Sequence, residues 1–375
     1  MQVALQNTAH TVVTIDPSQD PRYDAFVAGH ERATAYHAGA WAKILGSTYG
    51  FKPAYLALLG EGDALEGAMP LMYTRGILSG RRMRSLPVVP TAGPLATSAA
   101  GEVALLEAAC RVTDERASHL LVTTRAGGYE ESVPGLETRR RNPTWISTMP
   151  PDADELRASW KKRSNNLFRS IKKSEAAGVT VREGTSEEDL RVFYGLYLAT
   201  MKRHRSLPRP WRQMLLDQRL LGPSGVFKLF LAEHGGRVVA AATFHAYRDT
   251  VDLLYAGSDS SERDLRANFG LYWHAMRWAI ETGHTRFDWG EAQEGGTLSR
   301  FKAQWSAEPV AEHTFDYASG AEEPGQTRAD RIRNQHDTLD NQGVTSRRDE
   351  IVDKAWERIP IPLTRLAGEV VYRLF

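Results

Sequence analysis

One cysteine, Cys110, stands among 375 residues. A disulfide framework and a thiolate metal site are therefore excluded, and a reducing compartment is the natural setting. Cys110 lies in the apolar helical pattern LLEAACRV, where a thiol serves as a small packing group. Charge of one sign is as scarce: 47 Lys and Arg oppose 46 Asp and Glu, a formal net charge of +1. No generally basic surface for nucleic acid follows, and any anion site needs a local cluster. No run approaches the ~20 apolar residues that cross a bilayer. The opening MQVALQNTAHTVVTID has no basic stretch leading into an apolar block, so neither a signal peptide nor export is expected, and the location expected is cytoplasmic. The 11 histidines are scattered without ligand spacing, so no metal is expected. No phosphate-binding loop, nucleophile elbow or dinucleotide fingerprint occurs.

What remains is globular composition, 42% hydrophobic and 25% charged, in a chain long enough for two domains. The most informative stretch is Val226–Trp305. Apolar runs Phe227–Ala232 and Val238–Phe244 flank Glu-His-Gly-Gly-Arg, a hairpin signal. Thr250–Ala256 forms a third run, Phe269–Ile280 has helical spacing, and Arg286–Trp289 closes as a short strand. Earlier, Ala54–Gly76 has the same strand, turn and strand design. It is followed by a strand at Arg82–Val89, an amphipathic helix at Ala99–Glu115 and a strand at His119–Thr124. One mixed α/β unit is thus repeated in tandem. The expected division is 1–150, 151–318, a polar linker at 319–345, and a C-terminal amphipathic helix within 346–375. That last segment carries Trp356, Ile359, Leu363, Leu366, Val370, Val371 and Leu374, and docks on the body or rests on a membrane surface.

A helical connector joins the repeats. Asp152–Ala177 starts after two prolines and stops at Gly178; a second helix begins at Ser186, with acids in its first turn and Lys202, Arg203, His204 and Arg205 at its end. In WKKRSNNLFRSIKKSEAAG, Lys162, Asn166 and Arg169 fall at i, i+4 and i+7, with Arg163 three before Asn166. These groups suit a phosphate or carboxylate ligand, against the competing reading of a solvated charged helix. Trp160, Leu167 and Ile171 mark its buried side. In FDWGEAQEGGTLSRFKAQW, Lys302 is placed to stabilise a developing oxyanion and Asp288 to accept a proton. The competing readings are a surface lysine and a turn aspartate.

These segments together resemble the Fem-type (FemAB) peptidoglycan bridge aminoacyltransferases, nearest to short relatives linked to exopolysaccharide and cell-envelope synthesis. The pieces are ATAYHAGAW (Ala33–Trp41), Gly67-Ala-Met-Pro-Leu, RRMRSLPVVPTAG (Arg81–Gly93), KKRSNNLFRSIKKSEAAGV, FYGLYLATMKRH, YAGS, LRANFGLYWHAMRWA, FDWG and FKAQW. The set spans about Thr34–Tyr317. The resemblance implies two tandem domains of the Gcn5-related N-acyltransferase (GNAT) type, and transfer of an acyl or aminoacyl group to an amine of a cell-envelope precursor. It assigns Lys302 to the acyl-transfer step with Phe301 beside it, and the cations around Arg163 and Arg169 to the phosphates of the precursor or to the acyl donor. Substrate-binding candidates are Lys162, Arg163, Asn166, Arg169, Arg205, Tyr255, Asn268, Trp273 and Phe301. Two departures stand out. Ser306 follows FKAQW where glycine is common, and the long coiled-coil arm of the larger enzymes is absent.

No tightly bound cofactor is expected. The acyl donor is aminoacyl-tRNA, with tRNA as carrier, or an acyl-coenzyme A. The loop GSDSSERDLRANFG lacks the usual GNAT coenzyme A pattern, although it leads into a helix N-terminus suited to an anion. The alternatives are an acyl-coenzyme A enzyme acting on an exopolysaccharide sugar and a non-catalytic scaffold in envelope-polymer assembly. Peripheral membrane contact through the C-terminal segment is the remaining partner expectation.

Overall fold

The computed structural model describes residues 5–7, 10–76, 79–163, 165–320 and 365. The expected C-terminal helix lies outside the described residues except for Arg365, and the expected linker lies outside them beyond Gly320. The chain forms two compact units.

The first unit opens with β1 (Leu5–Asn7), β2 (His10–Ile15), α1 (Pro21–Gly29), α2 (Ala40–Tyr49), β3 (Lys52–Pro53), β4 (Tyr55–Leu59), β5 (Leu65–Met69) and β6 (Met72–Gly76). It continues with β7 (Gly80–Arg84), β8 (Leu95–Ala96), α3 (Ala99–Arg116), β9 (His119–Thr124) and β10 (Leu136–Arg139). The second strand of the expected hairpin is broken. Pro70 separates β5 from β6, and the two strands enter different sheets; proline has no N–H to continue a ladder. The strand expected over Arg82–Val89 ends at Arg84, because Leu86 and Val88 take positive φ, 62° and 64°. Helix α3 packs Leu105, Leu106, Ala109 and Cys110 into the core, so the cysteine is buried, and burial pushes its thiol up to about 12.

The second unit comprises β11 (Thr144–Thr148), α4 (Ala153–Arg163), α5 (Asn165–Ala176), β12 (Thr180–Glu183), α6 (Glu187–Arg203), α7 (Trp211–Leu221), β13 (Phe227–His234), β14 (Arg237–Tyr247) and β15 (Thr250–Ser258). Then follow α8 (Ala267–Glu281), β16 (Arg286–Glu291), α9 (Thr297–Gln304) and β17 (Ala307–Val310). The connector helix expected over Asp152–Ala177 is described as α4 and α5, on either side of Ser164, which lies outside the described residues. Helix α6 starts on a reciprocal cap: Ser186 accepts from the Asp189 N–H, and the Asp189 side chain accepts from the Ser186 N–H.

One seven-stranded sheet, in the order β12-β13-β14-β15-β16-β11-β17, forms this unit. The first unit instead has a five-stranded sheet, β1-β2-β4-β5-β8, and a six-stranded one, β10-β18-β9-β7-β6-β3, where β18 is His313–Ala318. In each repeat a strand from the other repeat is inserted between the last two native strands. β18 lies between β9 and β10, and β11 lies between β16 and β17. The repeats therefore exchange their final strands, and the units do not divide the chain at one point. The unit boundary falls at Asn142/Pro143, and the first unit resumes at Ala311.

Candidate active site

The two faces of the seven-stranded sheet differ in chemistry. Phe230, Ala232, Ala240, Ala242, Phe244, Val251, Phe287 and Trp289 belong to a core shared with α8 and the tryptophans of α4 and α9. Burial of such apolar groups stabilises by ~1.5–3 kcal/mol per large side chain. Alternation along a strand sends the intervening residues to the opposite face. Those residues are Thr243, His245, Asp252 and Asp288, all buried. A bulge between Thr243 and Phe244 in the β14–β15 ladder pairs Tyr255 with Thr243. The Tyr255 ring lies 5.5 Å from that of Tyr197 on α6, and its phenol oxygen accepts from Gln213 Nε2 of α7 at 3.4 Å. Helix α6 lies very close to β15. A Cβ on Gly257 would meet the Tyr197 nitrogen at 2.4 Å, which accounts for glycine in YAGS.

β15 and β16 are parallel neighbours over three residue pairs, the last being Asp252 with Asp288. Beyond that pair the ladder stops while β15 runs on to Ser258. Parted ends of parallel strands leave backbone groups unladdered in a crevice at their carboxyl ends, the usual place for a ligand in α/β sheets. Asp288 sits where the strands part. It is 3% exposed, and its Oδ1 accepts from Thr144 Oγ1 at 2.5 Å and from the Gly290 N–H at 2.7 Å. Gly290 has φ 77° and sits within β16 at a bulge in its ladder with β11, where a left-handed backbone favours a residue without a Cβ.

Lys302 reaches this bulge from α9. It is 4% exposed, and its Nζ donates to the carbonyl oxygens of Gly290 at 2.8 Å and Glu291 at 2.9 Å. Burial holds the ammonium down to about 8, against the opposing pull of Asp288 and Glu291. Behind it stands an aromatic wall. Trp289 lies 5.1 Å from Trp305, Trp160 is edge-on to Trp305 at 5.4 Å, and Phe301 faces Phe269 at 5.9 Å. Trp289 Nε1 donates to Ser147 Oγ, and Ser147 Oγ donates to the Trp305 carbonyl, whereas the buried Trp305 Nε1 has no hydrogen-bond partner among the described residues. Ser306 has φ 60°, and its Oγ accepts from Trp160 Nε1 at 3.1 Å. A left-handed backbone at this point explains why glycine suits it.

The remaining candidates are dispersed. Trp273 is enclosed in the core, edge-on to Trp160 with Arg157 over its ring; its indole packs, and it lines no open face. Asn268 lies in the first turn of α8, its Nδ2 3.4 Å from Ser258 Oγ. Asn166 and Arg169 are exposed on α5, opposite the buried Leu167 and Ile171. The side chains of Lys162 and Arg163 lie outside the described residues. Arg205 follows the α6 C-terminus, exposed, with φ 56°. The structure thus brings together Lys302, Asp288 and Phe301. Sequence reading missed His245, Asp252 and Gln213; polar residues inside otherwise apolar runs, as in VDLLY, were the available signal. Among the described residues no group of three or more His, Cys, Asp or Glu could hold a metal ion, and no helix is long and apolar enough to cross a membrane. A separate depression, lined by Asp16, Asp20, Arg22 and Asp63, lies in the first unit and contains none of the candidates.

The fold is a tandem arrangement of GNAT type, and residues 161–303 match the acetyltransferase (GNAT) domain family. Among solved structures the chain is similar to FemX, with 17% identity, TM-score 0.63, and coverage of 82% of this chain and 97% of that one. L-PGS from Bacillus licheniformis is similar at 13% identity and TM-score 0.55, covering 87% of this chain and 96% of that one. A tandem GNAT protein from the clavulanic acid biosynthesis pathway aligns at 10% identity and TM-score 0.50, over 84% and 100%. No curated protein matches the chain.

Proposed function

We propose that this chain is an N-acyltransferase of Fem-like type, which moves an acyl or aminoacyl group onto an amine of a cell-envelope precursor. The observation that carries the reading is the buried Lys302 ammonium, held at the point where β15 and β16 part. A carbonyl seated in that crevice would develop negative charge under attack, and a desolvated ammonium stabilises such charge far better than one in water. Alignment of amine and carbonyl in one crevice supplies a further share of the barrier, out of ~7–11 kcal/mol available from ideal positioning. Phe301, Tyr255 and Asn268 would line the approach, and the cations of α5 would meet phosphate on the precursor or the donor. The Fem-type resemblance of the sequence favours a peptidoglycan-type acceptor and aminoacyl-tRNA as donor, and the similarity to FemX agrees with the fold that this resemblance implies. The GNAT domain match is equally compatible with an acyl-coenzyme A. Such precursors are assembled at the cytoplasmic membrane face, so the chain would work in the cytoplasm, with its C-terminal segment as a peripheral contact.

Mass spectrometry of envelope precursors from cells with and without the protein tests this directly. A precursor heavier by one acyl or aminoacyl group, seen only with the protein, is the expected result. Identical precursor masses would remove the reading. Binding assays then select the donor: saturable, salt-insensitive binding of coenzyme A would rule out aminoacyl-tRNA, whose binding weakens steeply with salt.

A further inference from the structure

We propose that Asp252 takes the proton released by the attacking amine, with His245 as the residue that positions it. The assignment rests on the reading that the crevice between β15 and β16 is an acyl-transfer site. Its basis is the register of three adjacent strands. His245 of β14 pairs with Asp252 of β15, and Asp252 pairs with Asp288 of β16. Directly opposed residues share a face, with Cβ atoms ~4.5–5.5 Å apart. The three therefore form one polar row across an otherwise tightly packed sheet. They are 0%, 8% and 3% exposed, respectively. The ladder between β15 and β16 ends at this row, which makes it the floor of the crevice.

The three members differ in what they can do. Asp288 has Oδ1 engaged by Thr144 and by the Gly290 N–H, which holds the bulge that receives Lys302. His245 is wholly enclosed, and burial holds its imidazole down to about 3, hence neutral. Asp252 is the member with surface left to touch a substrate, and the Tyr255 phenol lies further along the same strand face. Lys302 bonds the carbonyls two and three residues past Asp288, and Asp252 is the residue paired with Asp288 across the last rung of the ladder.

The step balances as follows. The amine nitrogen bonds to the carbonyl carbon of the donor, and the bond from that carbon to the ester oxygen or thioester sulfur breaks. The proton leaving nitrogen passes to the Asp252 carboxylate and from there to the departing oxygen or sulfur. No oxidant or further reactant is needed.

The test uses the full chain, acetyl-coenzyme A and tRNA charged with labelled amino acids as donors, and amine-bearing cell-envelope precursors as acceptors. Asp252→Asn should lower kcat by roughly 10²–10⁴-fold, the range for loss of a general base, with the donor KM unchanged. His245→Gln should lower kcat less, again without a change in KM. Circular dichroism separates loss of fold from loss of chemistry. Should Asp252→Asn unfold, Asp252→Glu carries the test: a carboxylate displaced by one methylene lowers kcat if it handles the proton and leaves it unchanged if it does not. An active wild type with equally active, folded variants overturns the Asp252 assignment alone. A wild type that transfers label from neither donor overturns the acyl-transfer reading and this assignment together.

Discussion

Lys302 shows how burial tunes a single group. Its ammonium has given up most of its water and receives two carbonyl oxygens in return. The charged form is disfavoured, and the group titrates near 8 where a free lysine would titrate near 10.5. Two outcomes follow. If the ammonium stabilises the oxyanion, transfer activity should fall as pH rises through about 8, and Lys302→Met should lose ~10²–10³-fold in kcat; a pH–rate profile of both proteins decides it. The stability effect has the opposite sense. Between about 8 and 10.5 the unfolded chain binds this proton and the folded chain does not, so folded stability rises with pH across that window. Urea melts of wild type and Lys302→Met at the two ends of the window should show that rise in the wild type only. At this scale the FKAQW and FDWG patterns made Lys302 and Asp288 visible in the sequence. His245 and Asp252 were invisible as partners, because cross-strand register depends on bulges and turns that no local pattern records.

At the scale of elements, the bulge within β16 and the end of α9 carry the backbone strain of the site. Gly290 has φ 77° with open space around its Cα, so Gly290→Ala meets conformational cost without a clash. A loss of ~1–2 kcal/mol is expected, read by denaturant titration, together with a fall in activity as the Lys302 carbonyl partners shift. Ser306 has the same kind of backbone, at φ 60°, yet its hydroxyl holds the Trp160 indole. Ser306→Gly relieves strain and loses one hydrogen bond, so its stability should remain within ~1 kcal/mol of wild type. Ser306→Ala keeps the strain, orphans the indole N–H and should cost ~1–3 kcal/mol. Most helices and strands of the second unit were legible from spacing and caps, as with Ser186 and Asp189 at α6. Breaks were harder to see: Pro70 splitting a strand between two sheets, and the positive φ of Leu86 and Val88 ending β7 at Arg84. Each is decided by what the segment packs against.

On the scale of the whole molecule, the tandem repeat was legible from element order, and the exchange of β11 and β18 was not. Nothing in HTFDYA or TWIST names its sheet. Both are short strands that mix apolar and polar residues, and neither pattern fixes its neighbours. Truncation after Val310 removes β18, which pairs with β9 and β10. The first unit should then lose its cooperative melting transition while the second retains its own, as read by hydrogen exchange resolved along the sequence. Exchange protection in β9 equal to that of the full chain would show that the unit stands without that strand.

The same connectivity bears on how the protein is made. A ribosome has delivered everything through β10 long before His313 emerges, and until then β9 and β10 have nothing to zip against between them. The nascent amino-terminal half must persist with open edges while the other half is still being synthesised. Its own tethered β18 has the higher effective concentration, so interlocked dimers should appear only as chain concentration rises at high expression.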